Sequence, residues 1–122
     1  MCGEEAVIEL VTGCEILSDM VGVKVSEGTL FNTRSQCFEQ LAPIAQSIQS
    51  EIVSSDVVHF DETGMRVKGK LWWLHVACTD GLTYYFVHQK RGRDAIDEMN
   101  ILPQFQGKAI HDGWKSYQDY DC

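Results

Sequence analysis

At Ser54 the apolar pattern of this chain changes its period, and that change limits what each half can fold into. Upstream, Leu30, Cys37, Leu41, Ile44, Ile48 and Ile52 recur at spacings of 7, 4, 3, 4 and 4, a single stripe on a long amphipathic helix. Downstream the repeat falls to two, with branched and aromatic residues alternating with polar ones. The two periods belong to different backbone geometries. The sequence therefore predicts a helical segment over residues 1–53 and a sheet-forming domain over 54–122.

Within the helical segment, Ser26 is a good N-cap, and Glu27 lies in the first turn, where the helix dipole favours negative charge. Pro43 lacks a backbone donor and should kink the helix or split it in two. Packing on the following domain is the expected use of the apolar stripe, ahead of a partner helix. Before it, Val7, Leu10, Val11, Cys14, Leu17 and Val21 stand near helical spacing, with Gly13 interrupting and Gly22 ending the pattern. GVKV then forms a short extended link.

In the second half, DVVHFDE (56–62) reads as a buried strand ending in two acids, and TGMRVKGK (63–70) as a turn with Gly64 and Gly69. KLWWLHVACT (70–79) is a second strand, Asp80-Gly81 a two-residue hairpin signal, and LTYYFVHQ (82–89) a third strand. RGRDAIDEMN (91–100) reads as a helix with Ala95, Ile96 and Met99 facing inward. Pro103 and Gly107 mark a connection to a short fourth strand, KAIHD (108–112). A meander followed by a helix crossover predicts an α/β mixed sheet in the order 3-2-1-4, its fourth strand parallel to the first.

That topology gives two acids their interest. Asp61 is predicted to end the first strand and Asp112 the fourth, so both carboxylates should emerge at one edge of the sheet. Two carboxylates at adjacent strand ends make a hard, oxygen-rich site suited to Mg²⁺ or Mn²⁺. Paired ions of that kind activate water and stabilise the leaving oxygen in phosphodiester cleavage. The bland alternative is that both are polar residues where loops begin.

Charge distribution bears on the partner. The chain carries −8 overall, but residues 1–62 hold eleven acidic and two basic side chains. Residues 63–93 hold Arg66, Lys68, Lys70, Lys90, Arg91 and Arg93 against Asp80 alone. That middle third can touch phosphates, whereas the total charge argues against a surface that wraps a duplex. No apolar run is long enough to cross a membrane, and Glu4 and Glu5 stand where a secretory signal needs positive charge. The five cysteines, Cys2, Cys14, Cys37, Cys78 and Cys122, lack zinc-site spacing and are expected to be free thiols in a reducing cytosol.

The strings HFDETG (59–64), GKLWWLHVACT (69–79), KRGRDAID (90–97), ILPQFQGKAIHDGWKSY (101–117) and GVKVSEGTL (22–30) occur in order with short spacers. Together, from about Gly22 to Cys122, they resemble the insertion sequence 66 family of DDE transposases. The resemblance implies a ribonuclease-H-like catalytic core, with Asp61 and Asp112 as the first and second acids of a metal-binding triad. It further implies DNA, the transposon ends, as partner, and a bacterial cytoplasmic location. In that fold the third acid is a glutamate on a later helix, whereas only Asp119 and Asp121 follow Asp112 here. The region before GVKVSEGTL also departs from the family's longer zinc-ribbon-like and DNA-binding part.

The expectation is therefore a transposase catalytic-core fragment, clipped at both ends, binding Mg²⁺ or Mn²⁺ weakly and inactive alone. It should self-associate, or associate with intact transposase, through apolar surface at the fourth-strand edge. The alternatives are a non-catalytic remnant acting as a protein- or DNA-binding module through the 26–53 helix, and a small independent nuclease. Among the neighbours, Glu62 should face away from Asp61 and support rather than ligate. His59 shares the face of Asp61, and His111 precedes Asp112, each more commonly a satisfied polar residue. One of Trp72 and Trp73 should pack under the crossover helix, and Lys115 is as suited to a phosphate as to plain exposure.

Overall fold

A computed structural model describes residues 2–120 of the chain, with side chains from Leu10 onward. The elements in order are α1 (Cys2–Val21), α2 (Glu27–Val53), β1 (Val57–Val67), β2 (Lys70–Cys78), β3 (Thr83–His88), α3 (Arg93–Met99) and β4 (Lys108–Ile110). Single 3₁₀ turns follow at Leu102–Gln104 and Lys115–Tyr117. The chain divides into two compact units, Met1–Pro43 and Ile44–Cys122. None of the described helices is long and apolar enough to cross a membrane.

In the first unit, α1 runs unbroken through Gly13, which does not interrupt it as the sequence suggested. A Cβ at Gly13 would sit 2.9 Å from Leu30 Cδ2, so the glycine is there for close helix approach. Gly22 ends α1 at φ +70°, the left-handed conformation that costs glycine least. Ser26 caps α2 as predicted, its Oγ accepting from the Thr29 backbone N–H at 3.1 Å. The helix runs through Pro43 without splitting, and the boundary between the units falls there. Of its stripe, Ile52 is fully buried and Ile48 packs on the core, whereas Leu41 and Ile44 are exposed, as are Phe31 and Phe38 beside the stripe.

The second unit holds a four-stranded sheet in the order β3-β2-β1-β4. β1 pairs antiparallel with β2 and parallel with β4, and β2 pairs antiparallel with β3. The order and the parallel pairing are those the sequence predicted. Alternation along β1 puts Val58, Phe60 and the Glu62 side chain on one face, and His59, Asp61 and Thr63 on the other. The first face carries the core, where α3, the 3₁₀ turns and the end of α2 supply Ile52, Ile96, Met99, Leu102 and Tyr117. Gln49 Nε2 donates to the Met99 carbonyl at 2.7 Å and ties α2 to the end of α3.

β1 differs from expectation in length. Residues 63–70 do not form one long turn: Thr63 to Val67 continue the strand, paired with Leu74 down to Lys70. The reversal is confined to Lys68 and Gly69, both at positive φ (55° and 71°), a two-residue hairpin of the primed type whose twist suits the flanking strands. Gly64 and Gly69 obscured the period-two pattern of Met65 and Val67. β4 is shorter than predicted, ending at Ile110. Its start depends on Gly107, where a Cβ would lie 2.5 Å from the Asp56 carbonyl and 2.8 Å from that of Ser55. That close approach lets the Lys108 N–H reach the Asp56 carbonyl at 2.8 Å and open the parallel ladder.

Candidate active site

The ladder between β1 and β4 pairs Val57 with Lys108, Val58 with Ala109, and His59 with Ile110. Asp61 and Asp112 each lie two residues beyond the last of these pairs. On β1 that step keeps Asp61 on the exposed His59 side, away from the core, whereas Asp112 lies in the exposed loop that follows β4. Neither terminates its strand: Asp61 is mid-way along β1, and Asp112 lies past the end of β4. Their correspondence rests on register alone.

Each carboxylate is held by one oxygen. Asp61 Oδ1 accepts from the Glu62 N–H at 2.9 Å, and Asp112 Oδ1 accepts from the Trp114 N–H at 2.9 Å. The second bond closes an Asx turn over Gly113 at φ +83°, while His111 Nδ1 accepts from the Gly113 N–H at 3.0 Å. Both residues are exposed, and each keeps Oδ2 outside any hydrogen bond among the described residues. Two exposed carboxylates with spare oxygens fit an ion that keeps most of its water, as Mg²⁺ does. No group of three or more His, Cys, Asp or Glu side chains gathers to hold an ion among the described residues.

Behind the acids stands Glu62, adjacent to Asp61 in sequence and on the opposite face, as predicted. Its side chain is 1% exposed, and both oxygens are used. Oε1 accepts from Arg91, with Nε at 2.8 Å and Nη2 at 2.7 Å, and Oε2 accepts from the Tyr117 hydroxyl at 2.5 Å. Arg91 lies over two indoles, 4.9 Å from the ring centre of Trp73 and 4.2 Å from that of Trp114. Tyr117 in turn stacks on His111, with ring centres 4.7 Å apart. The turn that carries Asp112 is thus fastened twice to the residue beside Asp61, through Trp114 and Arg91 and through Tyr117.

Electrostatics agree with this arrangement. Burial raises the Tyr117 phenol far above its ordinary range, aided by the hydrogen bond to Glu62 and by the charges of Glu62, Asp112 and Asp61. These effects favour the protonated hydroxyl that donates to Glu62. Cross-strand from Glu62 is His75, 2% exposed, whose Nε2 lies 3.2 Å from the Lys90 carbonyl. Burial lowers its pKa and favours the neutral ring.

The remaining sequence candidates divide. His59 is exposed on the face of Asp61. His111 is occupied in the turn and against Tyr117. Neither tryptophan belongs to the buried core: Trp73 holds Arg91, and Trp72 borders a surface hollow with Lys90, Asp94 and Glu98. Lys115 is exposed, and Asp119 pairs with Arg93 at 3.8 Å. Asp121 and Cys122 lie outside the described residues, as do the side chains of Cys2 and Val7, while Cys14, Cys37 and Cys78 are free. Sequence reading missed Arg91 as the organiser of this region; its only signal was a cation next to a helix start.

A family model described as the transposase IS66 family matches residues 12–122. No curated protein and no solved structure matches the chain.

Proposed function

Because the chain belongs to the IS66 family of transposases, we propose that residues 54–122 are part of a ribonuclease-H-like catalytic core in which Asp61 and Asp112 are the first two metal-holding acids. One observation supports the reading: the parallel pairing of β1 with β4, whose last pair, His59 with Ile110, stands two residues before each acid. The reaction is metal-dependent cleavage and strand transfer of DNA at the ends of an insertion sequence, in the bacterial cytoplasm. Asp61 and Asp112 would hold Mg²⁺ or Mn²⁺, which would polarise a substrate phosphate and activate an oxygen nucleophile. The chain's own residues fix the carboxylates. Backbone N–H groups of Glu62 and Trp114 each restrain one oxygen, and the Glu62, Arg91 and Tyr117 contacts hold the Asp112 turn against β1. Lys115, exposed three residues after Asp112, meets substrate phosphate. Two acids bind an ion weakly, and strand transfer needs a third that the described residues do not gather here.

Terbium luminescence, sensitised through Trp114 beside Asp112 and competed with Mg²⁺ or Mn²⁺, tests the site. The signal is expected to disappear in Asp61→Asn with Asp112→Asn. Terbium binding of unchanged affinity in that double variant refutes the assignment.

A second reading, a non-catalytic module that binds protein through α2, is favoured by the exposure of Phe31, Phe38, Leu41 and Ile44 along that helix. It predicts self-association, or association with intact transposase, that is indifferent to both aspartates.

A further inference from the structure

The β1–β2 hairpin extends past the rest of its sheet. β4 leaves β1 at His59, and β3 reaches only as far as Trp73 on β2. Met65 to Val67 and Lys70 to Trp72 therefore pair only with each other. Three residue pairs and a two-residue turn make a ribbon that projects about 10 Å beyond β3 at the usual rise per residue.

The six cations of residues 63–93 separate sharply in space. Lys90 pairs with Asp94, Arg91 with Glu62, and Arg93 with Asp97 and Asp119. Arg66, Lys68 and Lys70 sit on the projecting ribbon, all exposed, and none of them forms an ion pair among the described residues. Arg66 spends one donor on the Gly69 carbonyl across the turn, at 3.2 Å, and retains the others. Three unneutralised cations on one tip, in a chain of net charge −8, form a local positive field that the total conceals.

Lys68 adds a further point. It holds φ 55°, a conformation in which asparagine or glycine is more comfortable than lysine. Folding alone would favour the other residues there. The tip is also continuous with the strand of Asp61, five residues before Arg66. A two-stranded ribbon has the width that the major groove of B-DNA admits, with phosphates on either side.

We infer that this hairpin tip is a contact surface for the phosphate backbone of duplex DNA, with Arg66, Lys68 and Lys70 as its sequence-independent contacts. The inference rests on the reading of Asp61 and Asp112 as a phosphodiester-handling site, and it adds the element that brings the duplex to them. Neutralising a phosphate releases condensed counterions, so each contact contributes about 0.9 to the slope of log affinity against log salt.

Fluorescence anisotropy of a short labelled duplex titrated with the whole chain, across a salt series, reads that slope directly. Lys68→Asn is the decisive variant, because asparagine suits the turn and leaves the fold intact by circular-dichroism melting. It is expected to reduce the slope by about 0.9, and the combined Arg66→Gln, Lys68→Asn, Lys70→Gln variant by about 2.7. Lys24→Gln, in the other unit, should leave it unchanged. A slope that survives in the triple variant overturns the inference, as does the absence of duplex binding by the unmodified chain at low salt. Terbium binding read on the same samples separates the two hypotheses. Failure of the hairpin proposal leaves terbium binding dependent on Asp61 and Asp112, and failure of the site reading leaves the hairpin's salt slope intact.

Discussion

The Tyr117 hydroxyl donates to Glu62 Oε2 at 2.5 Å, joining residues fifty-five apart in sequence. Glu62 follows Asp61 directly, and Tyr117 lies in the 3₁₀ turn that the Asp112 loop leads into. A buried carboxylate on β1 thus anchors the loop that carries Asp112. Its second oxygen is taken by Arg91, so removing either partner leaves an uncompensated group in the core.

Tyr117→Phe deletes a hydrogen bond to a charged acceptor and should cost about 1.5–3 kcal/mol in urea unfolding. Arg91→Met should cost more, near the low end of the roughly 3–5 kcal/mol seen when a buried pair loses one member. Arg91 is itself 35% exposed, which is why the low end applies. Adding Glu62→Gln to Arg91→Met should recover part of the loss. A double variant less stable than Arg91→Met alone would show that Glu62 is not the group left stranded.

Acid should weaken the fold through His75. Burial lowers the pKa of this ring below 6.5, and the charges of His88 and Arg91 push the same way; the Lys90 carbonyl and Glu62 oppose them. The unfolded chain therefore binds the proton that the folded chain refuses. Stability is fully present above pH 6.5 and is lost as pH falls below it, by at most about 1.4 kcal/mol per pH unit. Unfolding curves collected between neutral and mildly acidic pH should show this limb, and His75→Gln should flatten it. Stability that rises on acidification would contradict the assignment.

Gly107→Ala should destabilise by about 1–3 kcal/mol, because its Cβ meets the Asp56 carbonyl at 2.5 Å and Phe105 Cζ at 2.6 Å. The displaced segment is the start of β4, so the register between Asp61 and Asp112 should suffer as well. Weakened terbium binding under conditions where circular dichroism still reports a folded chain is the expected result. Unchanged terbium affinity would separate the acids from the ladder.

Self-association is expected at two surfaces that sedimentation can tell apart. Ile110 (47% exposed) stands on the edge strand β4 and Val57 (39%) on its neighbour β1, whereas Phe38 (80%) stands on α2. Ile110→Lys should disperse association through the strand edge, and Phe38→Glu association through the helix. Neither exposed substitution should change unfolding stability by more than about 0.5 kcal/mol. A concentration-independent monomer in the unmodified chain would dismiss both surfaces.

The sequence by itself determined the elements, the sheet order and the parallel partnership of the first and last strands. These follow from local signals: a period that switches at Ser54, a serine cap at Ser26, an Asp80-Gly81 turn, and a helix between the third and fourth strands that supplies the crossover a parallel pair needs. It misjudged Gly13 and residues 63–67, where a glycine reads as punctuation but the helix or strand runs through, and of the two outcomes expected at Pro43 the split does not occur. Only the tertiary structure decided which charges are spent. Arg91 and Arg66 look alike in the chain, yet one is drawn to a buried carboxylate between two indoles and the other, at a hairpin tip, bonds a backbone carbonyl and forms no ion pair among the described residues. Charge pairing depends on distances between residues far apart in sequence, such as Glu62 with Arg91 and Tyr117, and no local pattern encodes those. Periodicity is read within a few residues, whereas electrostatics is settled only once the chain has closed on itself.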